Sequence, residues 1–277
     1  MTIHYKITKL AGMVFRMAKK NIQRNGINAL WWSGVKNFGD LLTPELFDYY
    51  GKTAINSKPD KADVVGVGSI LHLLPKDYSG TILGSGLIKN EKLSLEKANF
   101  SFVRGELTKA VMNLPELTPT GDLGLLSPKL LNRNNLKKKY KVGLVPHYVD
   151  KGNPWVLGMM SKLGPSGLLI DVQDSAKNVI NKIAMCDVIY SSSLHGIIVA
   201  DSLHIPNVWI QISNSIVGAG FKFHDYNTSI DFEQSPLPIS AIKSHLDLDR
   251  FTCQKKTQII DNKIKDLDLL LTKILNA

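Results

Sequence analysis

The sequence predicts an α/β protein made of two Rossmann-like lobes with a cleft between them. Three observations carry this. From residue 29 onward, short apolar runs alternate with stretches of helical periodicity, the signature of βαβ units around a parallel sheet. A polar, basic stretch at 132–141 (NRNNLKKKYK) breaks the alternation, which then restarts. Glycine, serine, histidine and arginine gather where the apolar runs end, the edge at which α/β sheets form their sites.

In chain order, Ala29–Ser33 (ALWWS) reads as a strand that enters the loop 34–40. A helix over Pro44–Tyr50 follows, with Thr43 as N-cap and Pro44 in its first turn. Asp63–Val67, Thr81–Leu83 and Phe100–Val103 are further strands, the last leading to a helix near Glu106–Met112. A short run, Leu117–Asp122, ends in Gly-Asp. Beyond the break, Lys141–Pro146, Leu168–Val172, Val188–Ser191 and Asn207–Ile212 read as strands, and Ser175–Met185 and Leu194–Leu203 as helices. Ile260, Ile264, Leu267, Leu271 and Ile274 recur at helical spacing within Gln258–Leu275. The division expected is a basic amphipathic segment at 1–24, a first lobe at 25–131, a linker at 132–141, a second lobe at 142–240 and a C-terminal helical segment at 241–277.

The chain has 277 residues, 44% of them hydrophobic, with a mean hydropathy of −0.03, values of a folded soluble chain. Two cysteines, Cys186 and Cys253, exclude a disulfide framework or a cysteine-built zinc site and suit the cytoplasm. The net charge is +10, and two acid-free segments, 1–24 and 123–149, hold six basic residues each. Such a chain seeks anions: nucleic acid, membrane phosphate or a phosphorylated substrate. No run reaches the ~18 apolar residues of a membrane span. On a helix, Ile7, Leu10, Val14 and Met17 share one face amid Lys6, Lys9, Arg16, Lys19, Lys20 and Arg24. That pattern fits a helix lying on an anionic membrane face, and equally an amphipathic helix packed on its own lobe.

Two glycine pairs follow strands, Gly66-Val67-Gly68 and Gly84-Ser85-Gly86, but Leu71 and Lys89 stand where a dinucleotide fingerprint needs its third glycine. They read as tight turns where backbone nears a ligand or the facing lobe. Ser191-Ser192-Ser193-Leu194-His195-Gly196 joins a strand to an apolar helix. The serines are expected to cap it, free N–H groups to bind an anion, and His195 to face the same spot. Arg104 leaves a strand as a carboxylate or phosphate clamp. Asn37 to Asp40, His147 and Asp122 sit at other strand ends.

These residues in this order resemble the polysaccharide pyruvyl transferase family. The resemblance rests on the N-x-G-D loop Asn37-Phe38-Gly39-Asp40, the V-R-x-x-x-[ST] element from Val103 to Thr108, Gly121-Asp122, and Ser192-Ser193-Leu194-His195-Gly196 followed by Ala200 to Val208. It covers roughly residues 29–212. It implies a GT-B-like fold and transfer of the enolpyruvyl group of phosphoenolpyruvate to two hydroxyls of one sugar of an exopolysaccharide or cell-surface glycan precursor, giving a pyruvate ketal. It implies no cofactor beyond phosphoenolpyruvate as donor substrate, no metal, and a saccharide acceptor carried on a lipid in some members. His195, Arg104 and Asp40 are then expected in catalysis. Ser191, Ser192, Ser193, Gly196, Asn37, Gly39 and Lys222 are expected to hold the donor. His147, Gly68, Ser69, Gly86 and Asp122 would line the acceptor cleft. Some members carry an arginine where this chain has Ser193, so Arg104, Lys222 or the helix N-terminus must supply that charge.

Two other readings share these residues. One is a GT-B glycosyltransferase using a nucleotide sugar. The other is a non-catalytic binder of anionic lipid or nucleic acid. Aromatics are not interleaved with the basic runs and no nucleic-acid motif occurs, so no nucleic-acid partner is expected. The expected place is the cytoplasm, with peripheral contact at the inner membrane face through residues 1–24.

Overall fold

The computed structural model describes residues 25–131, 137–242, 255 and 257–276. The expected amphipathic segment at 1–24, half of the expected linker and Cys253 lie outside these. The chain forms two five-stranded sheets in which all paired strands run parallel. The first holds β1 (Gly26–Leu30), β2 (Thr53–Asn56), β3 (Val64–Val65), β4 (Thr81–Leu83) and β5 (Asn99–Phe102), in the order β2-β1-β3-β4-β5. The second holds β6 (Tyr140–Val145), β7 (Gly167–Leu169), β8 (Cys186–Ser191), β9 (Asn207–Gln211) and β10 (Leu237–Pro238), in the order β10-β9-β8-β6-β7. Counted within its own lobe, the second sheet repeats the 2-1-3-4-5 order of the first. In this doubly wound order the switch point lies between the first and third strands, and the crevice outside their carboxyl ends is where ligands bind. Those ends are β1 and β3 in one lobe and β6 and β8 in the other.

Helices α1 (Leu42–Tyr49) and α2 (Glu106–Val111) belong to the first lobe. The second lobe carries α3 (Pro154–Leu163), α4 (Ala176–Ala184), α5 (Leu194–Ser202) and α6 (Phe221–Ser229), and α7 (Thr257–Asn276) follows. Every residue of α5 is buried, as its all-round apolar sequence requires of a core helix. Helix α7 turns Ile260, Leu267, Leu271 and Leu275 inward, close to the expected periodicity. Its Asp268 accepts from Tyr50 Oη at 2.5 Å and Lys129 Nζ at 2.8 Å, fastening it to the first lobe.

Several expectations are corrected. Strand β1 starts three residues early and ends at Leu30, because Gly26–Ala29 pair with Thr53–Asn56. The apolar Trp31-Trp32 is a loop, with Trp32 42% exposed. Thr43 is no N-cap: it lies within α1, and its Oγ1 accepts the Val67 N–H at 2.9 Å. The expected linker ends too late, since Tyr140 and Lys141 are already β6. The chain enters the interface between the lobes before that stretch, in the 3₁₀ turns Leu123–Leu130. Leu123, Leu125 and Leu126 there join one hydrophobic core from Phe38, Leu42 and Phe47 to Val145, Ile189 and Ile198. Strands β2 and β10 and helix α6 have too few apolar residues, or too little periodicity, to be read from sequence, whereas α3 was legible in Asn153 as cap, Pro154 in the first turn, Val156, Met159 and Leu163 at helical spacing and Gly164 at its end, and was missed.

Candidate active site

Between the two switch points lies a cavity of about 220 Å³. The first lobe lines it with Trp32, Asn37, Asp40, Gly68, Ser69, Ile70, His72, Leu73 and Ile88; the second with His147, Tyr148, Ser193, Leu194, His195 and Lys222. Thus Asn37, Asp40, Gly68, Ser69, His147, Ser193, His195 and Lys222, all proposed from sequence, reach one cavity.

The loop after β1 is shaped by an Asx turn, Asn37 Oδ1 accepting Gly39 N–H at 3.1 Å. It crosses to the other lobe, where Phe38 N–H meets the Val172 carbonyl at 2.8 Å. Gly39 then lies against the His195 ring: a Cβ there would sit 2.0 Å from Nδ1. Phe38 meets the same ring edge-on at 6.3 Å between centroids.

His195 stands in the first turn of α5 and is 9% exposed. Ile197 N–H is the first in that helix to find a backbone acceptor, Ser193 O at 3.3 Å, which leaves the N–H groups of Leu194, His195 and Gly196 without a backbone acceptor among the described residues. The serines do not cap it. Ser191 Oγ lies 2.9 Å from the Val145 carbonyl and accepts Ser193 N–H at 3.0 Å. Ser192 Oγ donates to Asp150 at 2.9 Å and accepts His147 N–H at 2.9 Å, fixing the His147 loop. Asp150 also accepts from Ser213 Oγ at 2.5 Å. Gly196 faces Ser191 and Val145, not the cavity.

Arg104 is not placed as a free clamp. It is 0% exposed, with Nε 2.9 Å and Nη2 2.9 Å from Asp225 Oδ2. Nη1 donates to Ser69 Oγ and Nη2 to the Leu87 carbonyl, both at 2.6 Å. Arg104 meets the cavity wall only through Ser69. Asp225 also accepts from Thr108 N–H at 2.7 Å and Thr108 Oγ1 at 2.6 Å. Asp225 belongs to α6, three residues beyond Lys222, so this cross-lobe cluster seats the helix that carries Lys222. Gly105 permits the approach, since a Cβ there would meet the Asp225 carbonyl at 1.7 Å. Gly86 likewise packs on the Arg104 guanidinium. Asp122 lies behind His195 rather than in the cleft; its Oδ1 accepts Gly124 N–H at 2.7 Å and its Oδ2 is 3.9 Å from His195 Nε2.

The electrostatics separate these groups. Burial pushes Asp40 up to about 7, with Lys222 pulling the other way. Burial and the Arg104 charge lower Lys222 to about 8, against the attraction of Asp40. Burial, Lys222 and Arg104 hold His195 down at about 3; burial and Lys222 hold His147 at about 4. Both imidazoles are therefore neutral near pH 7, and the His195–Asp122 contact is not a salt bridge. Lys222 Nζ forms no ion pair among the described residues and lies 5.8 Å over the Phe223 ring. The cavity thus offers an ammonium, a helix N-terminus, a carboxyl that keeps its proton near neutrality and a neutral imidazole. That set suits a small anion undergoing proton transfer.

Sequence reading missed Trp32, His72 and Tyr148 in the cavity wall and Asp150 and Asp225 behind it. Tyr148 follows His147 in the loop after β6, a signal the sequence offered, whereas Trp32 reads as strand interior. Asp225 carried none, because its partners are more than 100 residues away.

The family model for polysaccharide pyruvyl transferase matches residues 20–214. A succinoglycan biosynthesis protein, ExoV, of Rhizobium meliloti (strain 1021) is 30% identical over 225 residues, 76% of this chain and 67% of that protein. An uncharacterized protein of Acanthamoeba polyphaga mimivirus is 32% identical over 214 residues, 73% of this chain and 74% of that protein.

Proposed function

Because the chain belongs to the polysaccharide pyruvyl transferase family, we propose that it transfers the enolpyruvyl group of phosphoenolpyruvate to two hydroxyls of one sugar in a polysaccharide precursor. The observation that carries this is Lys222: an ammonium that forms no ion pair among the described residues, in a cavity shared with Asp40 and His195. Lys222 and the N-terminus of α5 hold the donor's negative charge, supplying what Ser193 does not. Binding an anion raises the pKa of Lys222 and keeps it charged. A cavity of about 220 Å³ suits a three-carbon phosphate better than a nucleotide sugar, since sites for drug-sized ligands run to roughly 300–1,000 Å³.

The reaction needs one proton delivered to the vinyl carbon and one removed from each attacking hydroxyl. Environments that push two pKa values apart assign the roles. Asp40, still partly protonated near pH 7, gives the proton to the vinyl carbon. His195, neutral, takes the hydroxyl proton as the oxygen bonds to the enol carbon. Attack by the second hydroxyl then displaces phosphate, which leaves with the remaining proton, closing the ketal. No separate cofactor enters this scheme.

Among the described residues no helix is long and apolar enough to cross a membrane. Peripheral contact through residues 1–24 would bring the enzyme to a lipid-carried acceptor. The test is incubation with phosphoenolpyruvate and polysaccharide precursor from a producing strain, reading phosphate release and a pyruvate-sized mass gain. His195→Ala lowers turnover by about 10²–10⁴-fold with the fold intact. Near-full activity of that variant, or phosphate release without mass gain, refutes the scheme.

A further inference from the structure

Two buried polar atoms behind the cavity wall have no hydrogen-bond partner among the described residues, His195 Nε2 and Asp122 Oδ2, and they face each other at 3.9 Å. We infer that Asp122 is the positioning residue of His195: its carboxylate accepts the Nε2–H of the neutral ring, which leaves Nδ1, beside Gly39, as the nitrogen that works on substrate. This rests on the pyruvyl-transfer reading of the cavity, and it adds which ring nitrogen acts and what holds the other.

The surroundings leave Asp122 Oδ2 for this purpose. Its sister oxygen is held by Gly124 N–H at 2.7 Å. The other polar groups whose charge Asp122 feels are committed elsewhere. Arg104 is bound to Asp225, Ser69 and Leu87; Tyr226 Oη donates to Asp201 at 2.9 Å; and Asp225 is an acceptor already served by Arg104 and Thr108. Two orphaned buried atoms are costly, and a single donor–acceptor contact would satisfy both. Near neutral pH Asp122, raised to about 6 chiefly by burial, is ionised while His195 is not, so the shared proton resides on Nε2. The 3.9 Å separation exceeds a hydrogen bond by about 1 Å, and catalytic hydrogen bonds of this length commonly tighten when substrate binds. On the opposite edge, Gly39 packs close on Nδ1, an approach a Cβ would block, and His195 lines the cavity. When the sugar hydroxyl bonds to the enol carbon, its proton passes to Nδ1. The imidazolium so formed is stabilised through Nε2–H by the Asp122 carboxylate, which gains no proton itself.

The test uses the full chain at pH 7.5 and two independent readouts. Long-range ¹H–¹⁵N NMR, with His195 assigned by loss of its signal in His195→Gln, is expected to show the Nε2–H tautomer in the wild type. In Asp122→Asn, which keeps the shape of the side chain, the Nε2 proton is expected to move upfield. An Nδ1–H tautomer in the wild type, or an unmoved Nε2 proton in Asp122→Asn, overturns the pairing. In turnover with phosphoenolpyruvate, Asp122→Asn is expected to lower kcat about 10²–10⁴-fold with the KM for phosphoenolpyruvate unchanged, because the amide favours the wrong tautomer. An unchanged kcat, or a loss confined to KM, overturns the catalytic part. If the wild type shows no transfer from phosphoenolpyruvate, the functional reading fails, while the NMR result still decides the His195–Asp122 pairing.

Discussion

Asp40→Asn is expected to stabilise the protein while disabling it. The native fold raises Asp40 from 3.8 to about 7, so between those values the folded chain keeps a proton the unfolded chain has lost. The carboxyl therefore makes wild-type stability fall as pH rises from about 4 to about 7, and adds no further slope above. Each factor of ten in proton affinity is worth about 1.4 kcal/mol, which bounds the destabilisation above pH 7 at about 4 kcal/mol. Asparagine carries no charge and escapes it. Lys222 takes back part of the gain, because the ammonium loses an attracting carboxylate and is still repelled by Arg104. The expectation is a stabilisation near zero at pH 4, growing through pH 5 and 6, and level above pH 7 at no more than about 4 kcal/mol. Urea unfolding of both proteins at half-unit steps from pH 4 to 8 measures it. Turnover by the variant should be low at every pH, since an amide cannot protonate the vinyl carbon. A variant destabilised at pH 7.5, or a difference that shrinks as pH rises, would refute the reasoning about the buried carboxyl. Retained turnover would remove Asp40 from the chemistry.

Asp225→Asn should lose about 3–5 kcal/mol of stability by leaving Arg104 buried without its counter-ion, read as a shift in the urea midpoint. A stable variant with weakened phosphoenolpyruvate affinity would instead return Arg104 to the donor site. Gly39→Ala must displace the His195 ring, and a misplacement near 1 Å lowers kcat about 10²-fold; undiminished kcat would show that the ring has room. Residues 1–24, at about 1 kcal/mol per basic side chain near an anionic surface, should carry the full chain onto anionic vesicles at low salt but not at high salt. Equal sedimentation of a form lacking 1–24 would assign that segment no membrane role.

Periodicity and apolar runs were enough to place β4, α5 and α7 and to expect two parallel α/β lobes, because those signals are local: a strand or helix must show its buried face in its own residues. The same local signals placed seven of the proposed residues just beyond strand ends that share one cavity; Lys222, on α6, carried no such signal. Where a role depends on a distant partner, the sequence was silent or misleading. Three serines before α5 look like caps, yet Val145 and Asp150 engage Ser191 and Ser192. An arginine at a strand end looks like a ligand clamp, yet Asp225, 121 residues away, takes its fork. Trp31-Trp32 looks like strand interior, but pairing with β2 shifts β1 toward Gly26. The opposed displacements of Asp40 and His195 arise only when both lobes close over them and exclude water. Residue types and their order thus determined which groups could do the chemistry, and desolvation between the two sheets decided which are charged, which are free and which only hold the others in place.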